Sequence, residues 1–419
     1  MIKEGKIRII RIPTEVILKW MVVKLILILT GIVLLKKFML FFYNSLLVTI
    51  SWVLLSLYLL INSYKIGFLK KIKIPDKLTQ PAVAVIIAVR NEEADLEKAL
   101  ESICALNYSN YRLLLVDDRS TDRTPQILNN FARKFSHVTV VDIHKLPDNW
   151  LGKSHALYQG YKNSAEEWML FTDADVVFKP DTLTKAIAYS INLQLDHLVL
   201  LPQIHSRSAA FNSVLVTFKI MFDLQYRPWA AKNPHSDASI GMGAFNLVKR
   251  TAYEAAGTHR RFSLHPNDDL QLGRCMKSSG FKQDVLYGDE QIQYEWYNSL
   301  PAFINGLMKN AFSSVKYSFR KAVINSFGSL MFFVLPVPVL LLSGVPRLQY
   351  LAAVILLSQL ALYLLKPAMH ARWWYVPVIP FAAAVISYIM LKSAILTLWQ
   401  RGIYWRDNFY PLSELKKYK

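Results

Sequence analysis

Phe38–Ile61 runs 24 residues without a charged side chain. A helix rises about 1.5 Å per residue, so this run is long enough to cross the roughly 30 Å hydrocarbon core of a bilayer. Lys65, Lys70, Lys71, Lys73 and Lys77 follow it, and basic residues beside a span are retained in the cytosol. Upstream, Val16–Leu35 is apolar but carries Lys19 and Lys24. It reads as a tilted second span, as an interfacial helix, or as part of an over-long start whose initiator is Met21 or Met39.

Near the other end lie three more apolar runs, Val323–Leu342, Leu348–Leu365 and Trp374–Leu391. Charge divides the chain in the same places. The first 80 residues hold 13 basic and three acidic side chains, residues 316–419 hold 12 and two, and the stretch between holds 24 and 25. The net charge of +19 therefore sits beside the apolar runs, where anionic lipid headgroups and the cytosolic border attract it. A nucleic-acid binder would carry it on the folded domain, so nucleic acid is not an expected partner. The only two cysteines, Cys104 and Cys275, form no CxxC or Cys/His spacing, which argues against zinc and a disulfide framework.

The expected organisation is a membrane region over 1–64, a basic linker over 65–81 and a cytosolic domain over 82–298. An amphipathic interface helix over 299–321, transmembrane helices over 322–395 and a basic tail over 396–419 follow. Three complete crossings would put that tail outside, against its charge, so one apolar run is expected to be re-entrant or interfacial.

Between residues 82 and 201, β-rich runs (Ala82–Val89, Leu113–Val116, Val138–Val141, Trp168–Thr172, His197–Leu201) alternate with helical segments. That alternation predicts an α/β fold, a mostly parallel sheet with helices on both faces, flanked by N- and C-terminal transmembrane helices. Such sheets bind ligands beyond the carboxyl ends of their strands, and the acidic clusters of this chain lie there.

FTDAD (171–175) places two carboxylates directly after an apolar strand. Like charges there serve stability poorly but suit a hard divalent cation held against a diphosphate, with Asp175 on the metal and Asp173 on ribose or metal-bound water. A solvated loop is the plain alternative. LLLVDDRSTDRT (113–124) ends a strand in Asp117–Asp118; helix capping explains Ser120, Thr121 and Asp122 but not that pair. In AVRNEE (88–93), Glu92 and Glu93 are ligand contacts or first-turn helix charges. WLGKSHALYQG (150–160) opens a helix with Gly-Lys, suited to a phosphate group or simply to the surface. In PNDDLQLGRCMKSSG (266–280), Asp268–Asp269 begins a helix as N-cap or as a general base.

In order and spacing, VIIAVRNEE, VDDRSTDRT, GKSHALYQG, FTDAD, GMGAF and NDDLQLG resemble the family 2 glycosyltransferases with the GT-A fold. The resemblance implies that Glu92 and Asp117 contact the nucleobase and that Lys153 lies near the diphosphate. It implies that Asp173 and Asp175 hold the nucleotide with Mg²⁺ or Mn²⁺, and that Asp269 is the catalytic base. Gly241–Phe245 would line the acceptor side. WLGK, NDDLQLG and YNSLPAFINGLMKN (297–310) are closest to the lipid-modifying branch, which includes ceramide glucosyltransferases and carotenoid or hopanoid glycosyltransferases.

The expected function is thus a multi-pass, membrane-bound, inverting transferase. It would move one sugar from a nucleotide-sugar, UDP-sugar favoured, to a lipid or lipid-linked hydroxyl at the cytosolic face. The alternatives are a processive polysaccharide synthase and exporter, or a non-catalytic membrane protein retaining the fold. Processive members carry QxxRW after the base, whereas here QIQYEW (291–296) has no Arg-Trp. Val89-Arg90 also departs from the usual Pro and small residue of the first motif.

Overall fold

The computed structural model describes residues 14–418 apart from His205, Arg207, Arg406 and Asp407, and within 14–35 the side chains of Lys24 and Thr30 only. Residues 1–13, expected in the membrane region, lie outside the described residues.

The strands are β1 (Gly67–Phe68), β2 (Val83–Val89), β3 (Tyr111–Asp118), β4 (Val138–Ile143), β5 (Trp168–Thr172) and β6 (Val177–Phe178). After them come β7 (His197–Ile204), β8 (Asn246–Lys249), β9 (Gln283–Tyr294) and a C-terminal pair, β10 (Gly402–Trp405) and β11 (Asn408–Pro411). The first nine make one sheet, ordered β1-β9-β7-β8-β5-β2-β3-β4, with β6 on β9. Most neighbours are parallel; β8 runs antiparallel to β5 and β7, and β6 antiparallel to β9.

β2 shows why the alternation was readable. Val83, Val85, Ile87 and Val89 enter one hydrophobic cluster, and Ala84 and Ile86 enter another on the opposite face. A strand covered on both faces reads as an unbroken apolar run. After α1 (Thr14–Ser63), which holds the first apolar run, α2 (Leu96–Cys104), α3 (Thr124–Lys134), α4 (Gly152–Lys162) and α5 (Thr182–Asn192) flank the sheet. Next come α6 (Ala209–Tyr226), α7 (Arg250–Ala255) and α8 (Asp268–Ser278). Antiparallel β8 and the long strand β9 were not anticipated. β1 pairs with β9 and Leu69 is fully buried, so the stretch after α1 contributes to the sheet before it crosses to β2.

α1 is one uninterrupted helix. The 16–35 segment therefore continues the 38–61 run and does not turn back as a separate crossing. Ser45, Thr49, Ser51 and Ser63 each donate to the carbonyl four residues back, which removes those donors from an apolar setting, whereas the shielded Ser56 Oγ has no hydrogen-bond partner. Trp52 docks the helix by donating to the Phe332 carbonyl at 3.0 Å and stacking on its ring.

Residues 299–321 divide into α9 (Leu300–Ser314), a turn with Lys316 and Tyr317 at positive φ, and the first turn of α10 (Phe319–Ser329). Then follow α11 (Pro336–Leu341), α12 (Pro346–Leu365) and α13 (Ile379–Trp399). Among the described residues, Lys36–Ser63, Phe319–Leu341, Pro346–Leu365 and Trp373–Trp399 are long and apolar enough to cross a membrane.

The last of these meets the sheet domain at both ends. Tyr375, Val376 and Ile379 pack with Val199 and Leu201 of β7, while Ala394 and Ile403 pack with Leu151 and Leu264. The tail consequently packs against the domain that holds the sheet.

Candidate active site

The strand tips converge because β2, β3 and β5 are parallel neighbours. Beyond β2 the chain turns at Asn91, and beyond β3 at Arg119, both with positive φ. The two turns are tied together: the Asn91 N–H donates to Ser120 Oγ at 3.1 Å, and the Glu92 N–H donates to Thr124 Oγ1 at 2.9 Å. Beyond β5 lies Asp173–Asp175, facing the first turns of α4 and α8.

These tips border a cavity of about 640 Å³. Glu92, Lys153, Asp173, Asp175 and Asp269 all line it. Lys153 Nζ lies 2.5 Å from Asp173 Oδ1. Burial would lower the Lys153 pKa, but the carboxylates of Asp173, Asp268 and Asp269 outweigh it and hold the ammonium above its ordinary value. Asp269 is oriented by two backbone donors, Gly243 N–H to Oδ2 at 2.9 Å and Leu270 N–H to Oδ1 at 2.8 Å. Burial, reinforced by the adjacent Asp268 charge, pushes its carboxyl up to about 7. Burial also lifts Asp175 to about 7, with the charges of Asp173 and Glu92 adding to it.

Three glycines permit this density of charge. A Cβ on Gly243 would stand 2.4 Å from Asp173 Oδ2, one on Gly152 would stand 2.3 Å from Asp118 Oδ2, and one on Gly241 would overlap the Asp269 carbonyl. The Gly241–Gly243 loop is fixed from beneath by buried amides. The Ile240 N–H donates to Gln283 Oε1 at 3.1 Å, Gln283 Nε2 donates to the Ile240 carbonyl at 3.0 Å, and Asn246 Nδ2 donates to the Met242 carbonyl at 2.9 Å.

Asp117 does not line the cavity, and neither does Phe245 at the end of the expected acceptor-side loop. Asp117 Oδ1 accepts the Ser120 N–H at 3.3 Å, and Asp118 lines the wall in its place. Side chains alternate along a strand: Leu113 and Leu115 face one cluster, Leu114 and Val116 the other. Asp118 therefore shares the face of α4, and Arg119 pairs with it at 2.9 Å and Arg90 at 3.7 Å.

Trp405, Asn408 and Tyr410 of the β10–β11 hairpin also line the cavity, and nothing in the basic tail distinguishes them. Lys309 Nζ sits 4.3 Å from the Trp405 ring centre. Tyr294 and Trp296 line it as well; their signal was the aromatic-rich QIQYEW segment, read only for what it lacked.

Among the described residues no group of three His, Cys, Asp or Glu side chains gathers at metal-binding distances. Asp173 and Asp175 supply carboxylate oxygens to one wall, and Asp175 Oδ1 is shielded from solvent with no hydrogen-bond partner. Such hard oxygens fit Mg²⁺ or Mn²⁺ when a ligand's phosphates complete the shell.

Residues 84–255 match the family model described as glycosyl transferase family 2. A 4,4'-diaponeurosporenoate glycosyltransferase of Staphylococcus haemolyticus (strain JCSC1435) is 26% identical over 256 residues, 59% of this chain and 64% of that protein. One from Staphylococcus aureus (strain USA300) is 25% identical over 218 residues, 52% and 56%. The chain thus spans less than two thirds of the length of these relatives. In fold it is similar to the mannosyltransferase PcManGT from Pyrobaculum calidifontis, solved in complex with GDP-Man and Mn²⁺, with a TM-score of 0.52, 16% identity, and coverage of 86% of this chain and 99% of that one. Residues 84–255 are thus similar to the family 2 glycosyltransferases, and the fold is GT-A-like.

Proposed function

We propose that the chain is a membrane-bound inverting glycosyltransferase that moves one sugar from a nucleotide-sugar, UDP-sugar favoured, to a lipid or lipid-linked hydroxyl at the cytosolic face. One observation carries this reading: a single cavity joins Lys153, Asp173, Asp175 and Asp269 to residues of membrane-length helices. The names of the similar Staphylococcus proteins, 4,4'-diaponeurosporenoate glycosyltransferases, support the lipid acceptor. The lysines following the first span support the cytosolic face.

In this reading Glu92 and the β3 tip take the nucleoside, with Asp117 acting through the Ser120 turn and Asp118 facing the ligand. Lys153, held as an ammonium, stabilises charge on the departing diphosphate. Asp173 and Asp175 would hold Mg²⁺ or Mn²⁺, which when bound would supply further charge neutralisation there. Asp269 takes the acceptor proton, and its two backbone hydrogen bonds keep one carboxylate orientation; such a base is typically worth about 10²–10⁴ in rate. The domain divisions at 82–298, 299–321 and 322–395 belong to the same proposal, the interface role falling on α9.

Membrane fractions supplied with labelled UDP- and GDP-sugars, followed by mass spectrometry of extracted lipids, test it. One sugar per lipid is expected. Long polymer made from donor alone would establish the processive alternative.

A further inference from the structure

The carboxylate-lined cavity does not end at the catalytic domain. Its wall continues along Asn325, Ser326 and Ser329 of α10 and Ile386, Ser387 and Met390 of α13, which belong to the Phe319–Leu341 and Trp373–Trp399 segments of membrane-crossing length and hydropathy. The helices touch where their side chains are small: Ser326 Oγ donates to the Ser387 carbonyl at 3.4 Å. Beside that contact the cavity reaches Asn325, which is exposed on α10. The outer face of α10 is apolar and open, with Ile324 55% and Phe327 61% exposed.

Two polar atoms in this arm are left without partners. Ser329 Oγ and Asn310 Oδ1 are shielded from solvent and form no hydrogen bond, although both residues line the cavity. Buried polar groups are ordinarily satisfied, so a ligand carrying a polar group at this level would complete them. Beside the Ser326–Ser387 contact the cavity is lined by the small side chain of Ser329, and a larger one there would fill it.

We infer that the gap between α10 and α13 is the passage for the acceptor's apolar chain, with the reacting oxygen at Asp269 and the chain leaving sideways into the bilayer. This rests on the proposed lipid-directed transfer and adds the route and the residues that set its width. Ser329 and Ser387 are its narrow points, and Asn310 and Ser329 meet the acceptor's polar end as it passes.

The test uses the full chain in phospholipid nanodiscs with a diazirine-bearing hexadecanol as the probe. Illumination is expected to label peptides covering 325–329 and 386–390. Ser329→Phe, which fills the gap, lowers that labelling by about tenfold, equivalent to an affinity loss of one decade. Phe327→Ala on the outer face leaves labelling and lipid glycosylation unchanged. Retained nucleotide-sugar binding certifies the fold of Ser329→Phe. Should that binding fail, Ser329→Cys alkylated with N-ethylmaleimide after membrane insertion fills the same space. Labelling that is confined to Ile324 and Phe327, or that is indifferent to Ser329→Phe, overturns the passage. Full lipid glycosylation by Ser329→Phe overturns the passage and spares the transferase reading. A labelled wild-type protein that glycosylates no extracted lipid does the reverse.

Discussion

The carboxylate of Asp269, at the first turn of α8, accepts the backbone N–H of Gly243 at 2.9 Å, and a Cβ on that same glycine would stand 2.4 Å from Asp173 Oδ2. One backbone unit therefore spaces the candidate base from the carboxylate pair beyond β5. Overfilling so tight a place costs typically about 1–3 kcal/mol, and here the yielding groups are the reactive ones. Gly243→Ala is expected to lower kcat/KM at least about tenfold, since about 1.4 kcal/mol corresponds to one decade of rate. A circular-dichroism melt close to wild type would show that the loss is local.

Asp269→Asn keeps the size of the side chain and removes its capacity to take a proton. Lipid transfer should fall by about 10²–10⁴, while nucleotide-sugar affinity measured by calorimetry stays within about threefold, or about 0.7 kcal/mol. Full transfer by this variant would take Asp269 out of the mechanism.

Lys153 answers to a different readout. Lys153→Met removes the ammonium paired with Asp173 and leaves that carboxylate half-buried without its partner. A fall in kcat of about 10²–10³ is expected, comparable to loss of one preorganised charge donor. The defect should be smaller with a donor whose leaving group is more acidic, because less charge then needs stabilising.

The pH response follows from the carboxyls raised to about 7 at Asp269 and Asp175. Asp269 acts as a base only when ionised, so kcat/KM should rise with pH through about 7 and level off above it. Stability runs the other way. A carboxyl raised in the fold favours the protonated folded state, a contribution present below the unfolded value near 4 and lost as pH rises through about 7. Melting temperature without divalent cation is expected to drop between about pH 5 and about pH 8, and Mn²⁺ should restore it by binding the ionised pair. A melting temperature that climbs across that range would contradict the burial of these groups.

The C-terminal hairpin offers a prediction far from the motifs in sequence. Tyr410 is nearly buried, packs with Leu151 and Leu264, and lines the cavity. Tyr410→Ala should loosen the turn that carries Gly152 and Lys153 and raise donor KM about tenfold. A displacement of about 1 Å at such a site costs up to about 10²-fold. Tyr410→Phe, which keeps the ring, should recover most of the affinity.

Local chemistry accounts for what could be read directly from the chain. Val83–Val89 and Trp168–Thr172 announce themselves because central parallel strands are covered on both faces, and Phe38–Ile61 because a bilayer tolerates no unpaired charge. The same locality placed Glu92, Asp173 and Asp175 beyond the ends of such strands, where a parallel sheet presents ligands, and Asp269 at the start of a helix. Parity along β3 was decided by tertiary packing: whether Asp117 or Asp118 faces the cavity depends on which face α4 covers, and a one-residue shift exchanges them. Tyr410 and Trp405 joined the site, and α13 returned the tail to the catalytic domain, through contacts between residues hundreds of positions apart. Those contacts depend on how surfaces fit together, and no local pattern of apolar and charged residues records that.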